Sequence, residues 1–279
     1  MTDITVTAPN PKQIGSNLID AVPQIGPCPN NCNQCFYNRP GAFFVPIDRP
    51  HMPHIDEAEG KIVRVNSGHD SNIHRDMVIA NTRHYPDRFF NTAIPNVDFP
   101  APVVLTVNPK EEEQPHLPSD LIGPIENLMF VRLRVSGTNL HWIWNAALEW
   151  AAAGVPVVLT FMAYYDTPEG SLPKVGLSEE ATRAMGVACP CKFTTDEYTD
   201  HDWHGRFFGL RADECYAWRK RTLNSYYCPS PEFMRRVMSL FQGYPLIDMC
   251  GTPDSCTCAD CRNCEAYYWI AKKRLLMTR

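Results

Sequence analysis

The chain has 279 residues, 44% of them hydrophobic and 20% charged, with a formal net charge of −5. This is the composition of a globular fold with a substantial core, and it excludes a protein drawn to nucleic acid by net charge alone. No apolar run reaches the ~18 residues of a membrane-spanning helix, and the opening Met-Thr-Asp-Ile-Thr-Val-Thr lacks the basic region and apolar core of a signal peptide. A cytoplasmic protein with no membrane partner is expected. In that reducing compartment its twelve cysteines point to metal binding or catalysis rather than to disulfides.

Taken in chain order, residues 1–24 are polar and proline-containing and read as a lead-in. A cysteine loop over 27–41 follows, then a Pro/His-rich connection to about residue 56. Ile62, Val63 and Val65 make Lys61–Asn66 a short buried strand ending in Ser-Gly-His-Asp. A helix is predicted over Asn72–His84, and strands over Arg88–Ile94, Pro102–Asn108 and Met129–Val135. Leu140, Ile143, Trp144, Ala147, Leu148 and Ala151 then lie on one helical stripe, capped by Thr138 or Asn139 and ended by Gly154 and Pro156. Val157–Ala163 is a continuous apolar run, as in a strand covered on both faces.

Residues 168–229 form a Cys- and aromatic-rich insertion with a short helix from Ser178 to Met185. Ser230-Pro231-Glu232 carries helix-start chemistry, with Phe233, Val237, Leu240 and Phe241 as the buried face. Tyr244–Met249 is the last strand. Five or six apolar strands alternating with helices predict a parallel α/β domain over 1–250 and a metal-binding tail over 251–279. Neither Gly-x-Gly-x-x-Gly nor a Walker motif is present to favour a nucleotide-binding open sheet.

The chemistry is carried by Cys28-Pro-Asn-Asn-Cys32-Asn-Gln-Cys35, a C-x3-C-x2-C loop. Three thiolates can hold one face of a cubane cluster and leave one iron open to a substrate or cofactor; with a fourth ligand such as His51 or His54 the same thiols would hold zinc. This loop ahead of a βα series resembles the radical S-adenosylmethionine superfamily, with Gln34 where many members carry an aromatic residue. The resemblance implies a partial (β/α)6 TIM-like barrel, a 4Fe-4S cluster on Cys28, Cys32 and Cys35, and S-adenosylmethionine bound at the barrel mouth. It implies reductive cleavage of that cofactor to a 5′-deoxyadenosyl radical that abstracts hydrogen from substrate, with electrons from a reductant such as flavodoxin or ferredoxin.

It also implies cofactor-binding residues one position at a time. Asn66, Ser67, Gly68 and Asp70 take the place where members meet the methionine amino group, although the usual Gly-Gly-Glu is absent. Arg132 or Arg134 would pair with the methionine carboxylate and Ser136 with ribose, while Thr160 and Tyr164 would flank adenine. An ordinary turn and a structural ion pair are the bland readings of the first two groups.

The tail sets Cys256, Cys258, Cys261 and Cys264 within nine residues. Four reduced thiols so close imply a metal, either a second iron–sulfur cluster or zinc. Cys250, at the end of the last predicted strand, reads as an auxiliary ligand, a catalytic hydrogen-atom donor or a small buried residue. Cys189, Cys191, Cys215 and Cys228 are more scattered and leave a further site open. The expected function is a radical enzyme acting on a nucleoside or nucleic-acid base. The alternatives are a peptide substrate, or a non-catalytic iron–sulfur or zinc-binding protein.

Overall fold

A computed structural model describes residues 10–30, 49–107, 117–135, 140–161, 164–166, 216–220, 225–255 and 257–278. The predicted helix Ser178–Met185 lies outside these residues, as do Cys189, Cys191 and Cys215; of Cys228 only the backbone is described.

Seven strands make one all-parallel sheet: β1 (Leu18–Ala21), β2 (Ile62–Val65), β3 (Arg88–Thr92), β4 (Val103–Val107), β5 (Leu128–Val135), β6 (Val157–Phe161) and, after three strands of a second sheet, β10 (Ile247–Met249). Their order in the sheet is their order in the chain, each strand lying beside its predecessor. No reversal of winding occurs, in contrast to doubly wound sheets. The sheet is open, and among the described residues no pairing joins β1 to β10.

Alternation along the strands separates two apolar layers. Val63, Val65, Phe90, Val103, Leu105, Val131, Leu133, Val157 and Leu159 face one side. There they meet α1 (Ile55–Ala58), α2 (Arg75–Thr82), α3 (Leu140–Ala152) and α4 (Pro231–Leu240) through Ala58, Val78, Trp150 and Phe233 among others. Leu18, Ile62, Phe89, Val104, Phe130 and Val158 face the opposite, inner side. One element covers part of that inner side: α6 (Asn263–Thr278), through Tyr268 and Ala271. It follows the one-turn helix α5 (Cys258–Cys261).

The predicted strands and the α3 stripe are found within a few residues of their expected bounds, and Ser230 caps α4 by accepting from the Phe233 amide at 3.1 Å. Three expectations are corrected. The supposed lead-in contains β1, whose buried Asp20 disguises it as polar sequence. Helix α2 starts at Arg75, not Asn72, because the Asn72 side chain is held by Thr92 Oγ1 and the Asn96 carbonyl. The last strand is confined to Ile247–Met249. The second sheet is antiparallel, in the order β7 (Tyr164–Asp166), β9 (Ser225–Pro229), β8 (Tyr216–Lys220), and gives the insertion a framework. No helix among the described residues is long and apolar enough to cross a membrane.

Candidate functional site

The cysteine loop is an excursion from the C-terminal end of β1. Its neck is closed just past the strand, where Val22 and His51 exchange backbone hydrogen bonds of 2.7 and 2.9 Å. Both flanks of the half-buried Cys28 are tied to the loop that follows β2. Gln24 Nε2 donates to the Asp70 and Ile73 carbonyls at 2.9 and 3.0 Å, and Asn30 Nδ2 donates to Asp70 Oδ2 at 2.8 Å. Cys32 and Cys35 lie outside the described residues.

The loop after β2 is built around Asp70, which is 2% exposed. Its Oδ1 accepts from the Asn72 amide at 2.9 Å and Thr92 Oγ1 at 2.8 Å, and its Oδ2 from the Ala93 amide at 2.6 Å as well as from Asn30. Four donors satisfy this carboxylate within the protein, so Asp70 organises the loop and is not placed to receive an outside group. Asn66 differs. It adopts a left-handed conformation (φ 62°), which Asn tolerates better than most residues. Its amide donates to the Ala21 carbonyl at 2.7 Å and its Nδ2 to Ser71 Oγ at 3.1 Å, yet its buried Oδ1 has no partner. Gly68 has φ 145°, a backbone conformation that side-chain-bearing residues rarely adopt.

Arg132 and Arg134 lie on the inner face of β5, where Arg134 stands opposite Thr160 of β6. Both arginines are half-buried, and the Thr160 hydroxyl has no partner among the described residues. Arg132 makes long contacts of 3.5 Å to Asn91 Oδ1 and 3.3 Å to Thr106 Oγ1, and its guanidinium sits 5.6 Å from the centre of the Phe130 ring. No carboxylate partners it among the described residues. Arg64 of β2, by contrast, forks onto Asp20 at 2.6 and 3.1 Å, and Gln13 also donates to that carboxylate at 2.8 Å. Ser136 lies outside the described residues, and only the backbone of Tyr164 is described.

The tail brings its thiols to the same inner face. Cys258 and Cys264 pack against the layer of Leu18, Phe89 and Phe130. Cys261 approaches the Met249 carbonyl at 4.0 Å, and Asn263 Nδ2 donates to it at 2.7 Å, fixing the α5–α6 junction to β10. Cys250 follows directly on that carbonyl, its amide donating to the Leu159 carbonyl at 2.8 Å. Its residue remains accessible although protein packs closely around it.

The Cys261 hydrogen bond, and after it the Arg132 charge, draw the Cys250 thiol down despite desolvation. The same bond, with burial, drives Cys261 up; burial pushes Cys264 up to about 11 and raises Cys258. The structure therefore joins Cys250 to the tail group from which sequence spacing separated it. Cys256 lies outside the described residues, and among those described no three His, Cys, Asp or Glu side chains form a ready-made metal-holding set.

Sequence reasoning missed Gln24 and Asn30. Their only signal is that they are polar residues flanking the first cysteine. It also missed the Asp20–Arg64 pair, for which spacing carries no signal. No protein-family model, curated protein or solved structure matches the chain.

Proposed function

We propose that the chain is a radical S-adenosylmethionine enzyme built on a partial barrel. The observation that supports this reading is the position of the C-x3-C-x2-C loop. It leaves the C-terminal end of the first strand of a parallel sheet wound in one direction, and hydrogen bonds from Gln24 and Asn30 bind it to the loop after the second strand. Sites in parallel α/β folds sit at this end of the strands. Helices α1 to α4 on one face, and an inner face that adds Asp20, Arg64, Arg132, Arg134 and Thr160 to its apolar layer, fit a barrel wall.

The residues present suit the groups this function requires. Cys28, Cys32 and Cys35 would hold a 4Fe-4S cluster with one iron left to the cofactor. The unpartnered, buried Asn66 Oδ1 is an acceptor for an ammonium group, and the Gly68 backbone permits close approach. Arg134, nearer the strand end than Arg132, is the better fork for a carboxylate. Ser136 would serve ribose, and the unpartnered Thr160 hydroxyl an adenosyl group. Asp70 acts one step back, holding Asn30 and so the cysteine loop. When bound, the reduced cluster supplies the electron that cleaves S-adenosylmethionine, and the cofactor supplies the hydrogen-abstracting radical. The protein's own work is to orient these groups and keep water from them. A flavodoxin- or ferredoxin-type reductant would serve the cluster. We rank a nucleoside or nucleic-acid base first among substrates and a peptide second.

The test uses anaerobically reconstituted protein, reduced with dithionite and given S-adenosylmethionine, with 5′-deoxyadenosine as the readout. We expect cleavage that vanishes in a Cys28→Ala/Cys32→Ala/Cys35→Ala variant. Cleavage that survives the triple substitution, or a purified chain holding zinc and no iron at that loop, would overturn the reading.

A further inference from the structure

We infer that Cys250, Cys258, Cys261 and Cys264 form a second, thiolate-only metal site that ties the tail to the last strand of the sheet. This inference is independent of the reaction proposed above.

Three observations carry it. The first is how the backbone presents the thiols. Cys258 and Cys261 stand one turn apart on α5, Arg262 takes a left-handed conformation (φ 54°), and Cys264 opens the next helix. The chain turns between the second and third thiol, and a short helix interrupted in this way can direct thiols toward a common point. The second is the fourth thiol. The Cys250 amide donates to the Leu159 carbonyl at 2.8 Å, which anchors it beside β6, and the Cys261 thiol and Asn263 side chain both reach the carbonyl of the preceding Met249, at 4.0 and 2.7 Å.

The third is charge. The charges of Arg64 and Arg132 both act on Cys250, Cys258 or Cys264. Arg64 is neutralised by Asp20, while Arg132 has no carboxylate among the described residues. A half-buried guanidinium left without a counter-charge is costly. Four thiolates around a divalent metal, or around an oxidised 4Fe-4S cluster, carry a net double negative charge on the face where that guanidinium lies. Among the described residues these thiols do not form a closed metal-holding set, so binding requires their rotamers to turn toward one another. Soft thiolate donors select zinc or iron–sulfur over hard cations.

The experiment starts from the full chain carrying Cys28→Ala, Cys32→Ala and Cys35→Ala, so that the first cysteine loop cannot answer. The reduced, metal-stripped protein is titrated anaerobically with Co2+ and, separately, reconstituted with iron and sulfide. We expect either stoichiometric Co2+ with the intense visible bands of a tetrahedral thiolate site, displaced by Zn2+, or a stable iron–sulfur chromophore. Either arm supports the thiolate site, and their relative affinities decide the native metal.

Adding Cys250→Ser should weaken binding by on the order of tenfold or more, whereas Cys256→Ser should leave it within about twofold. Cys250→His, which keeps a ligand, should retain Co2+ with a shifted spectrum, and this separates ligation from folding. Binding neither Co2+ nor iron would overturn the site. Loss on Cys256→Ser with retention on Cys250→Ser would overturn the ligand set. Neither result bears on S-adenosylmethionine cleavage, which is measured on the chain with its first cysteines intact.

Discussion

At the scale of single residues, Asp70 shows how a carboxylate can serve a site without touching what the site binds. Its oxygens take the Asn72 and Ala93 amides, the Thr92 hydroxyl and the Asn30 side chain, at 2.6 to 2.9 Å. Every one of these partners is a donor. Asp70→Asn keeps the shape but turns an NH2 toward one pair of them, leaving buried donors unmatched. The expected cost is about 2–4 kcal/mol in urea denaturation, together with reduced iron uptake at the cysteine loop that Asn30 steadies. An unchanged unfolding midpoint would show that the loop does not depend on this hub. The sequence singles out the turn around Asp70, but turn composition cannot reveal which oxygens the protein has already consumed. That depends on Asn30 and Thr92, which are distant in the chain.

Among the elements, α6 is the one whose partner the sequence does not name. Strands β2 to β6 are legible because parallel strands buried on both sides read as apolar runs. Strand β1 is not, because Asp20 becomes acceptable in a buried strand through Arg64, Gln13 and Asn10. The tail reads as amphipathic, yet nothing in its pattern says which side of the sheet it covers. Tyr268, 1% exposed, settles this by packing with Phe89, as Tyr267 does with Phe130, while its hydroxyl donates to Asp87 at 2.9 Å, beside the Lys272–Asp87 ion pair. Tyr268→Ala should cost about 3–5 kcal/mol, as for other large aromatic truncations. Tyr268→Phe should cost about 1 kcal/mol, since the ring stays and Asp87 keeps Lys272. A Tyr268→Ala protein that melts like the parent would mean that α6 does not seal the inner face. Spacing left Cys250 open between an auxiliary ligand, a hydrogen-atom donor and a small buried residue, because its place beside Cys261 depends on where β10 delivers the chain.

For the molecule as a whole, two histidines among the described residues contribute to the response to acid. Burial lowers His51, against the opposing pull of Asp20 and Glu57, and burial likewise lowers His69, helped by His74 and opposed by Asp70. His69 Nδ1 also accepts from the Asp70 amide at 2.9 Å, which requires an unprotonated nitrogen. The unfolded chain begins to take up these protons near the ordinary value of 6.5, before the folded protein does. Stability is therefore full above that pH and falls as pH drops through 6.5 toward the lowered values. Chemical denaturation from pH 7.5 to 5.5 should show this decline, and His69→Gln should flatten part of it; a level profile in the parent would contradict the assignment.

The winding order has a consequence for a chain made from its N-terminus. Strands β1 to β6 can each dock on the one before as they leave the ribosome, and α1 to α3 can cover their outer side at once. The inner side must wait, because among the described residues Ile62, Phe89, Val104 and Phe130 gain their cover from the tail, chiefly Tyr268 and Ala271, some 140 residues after Phe130. Throughout that interval a growing chain displays a greasy surface to every neighbour. Chaperone dependence and loss to inclusion bodies should thus be governed by how fast the last helix arrives, not by how well the sheet itself forms.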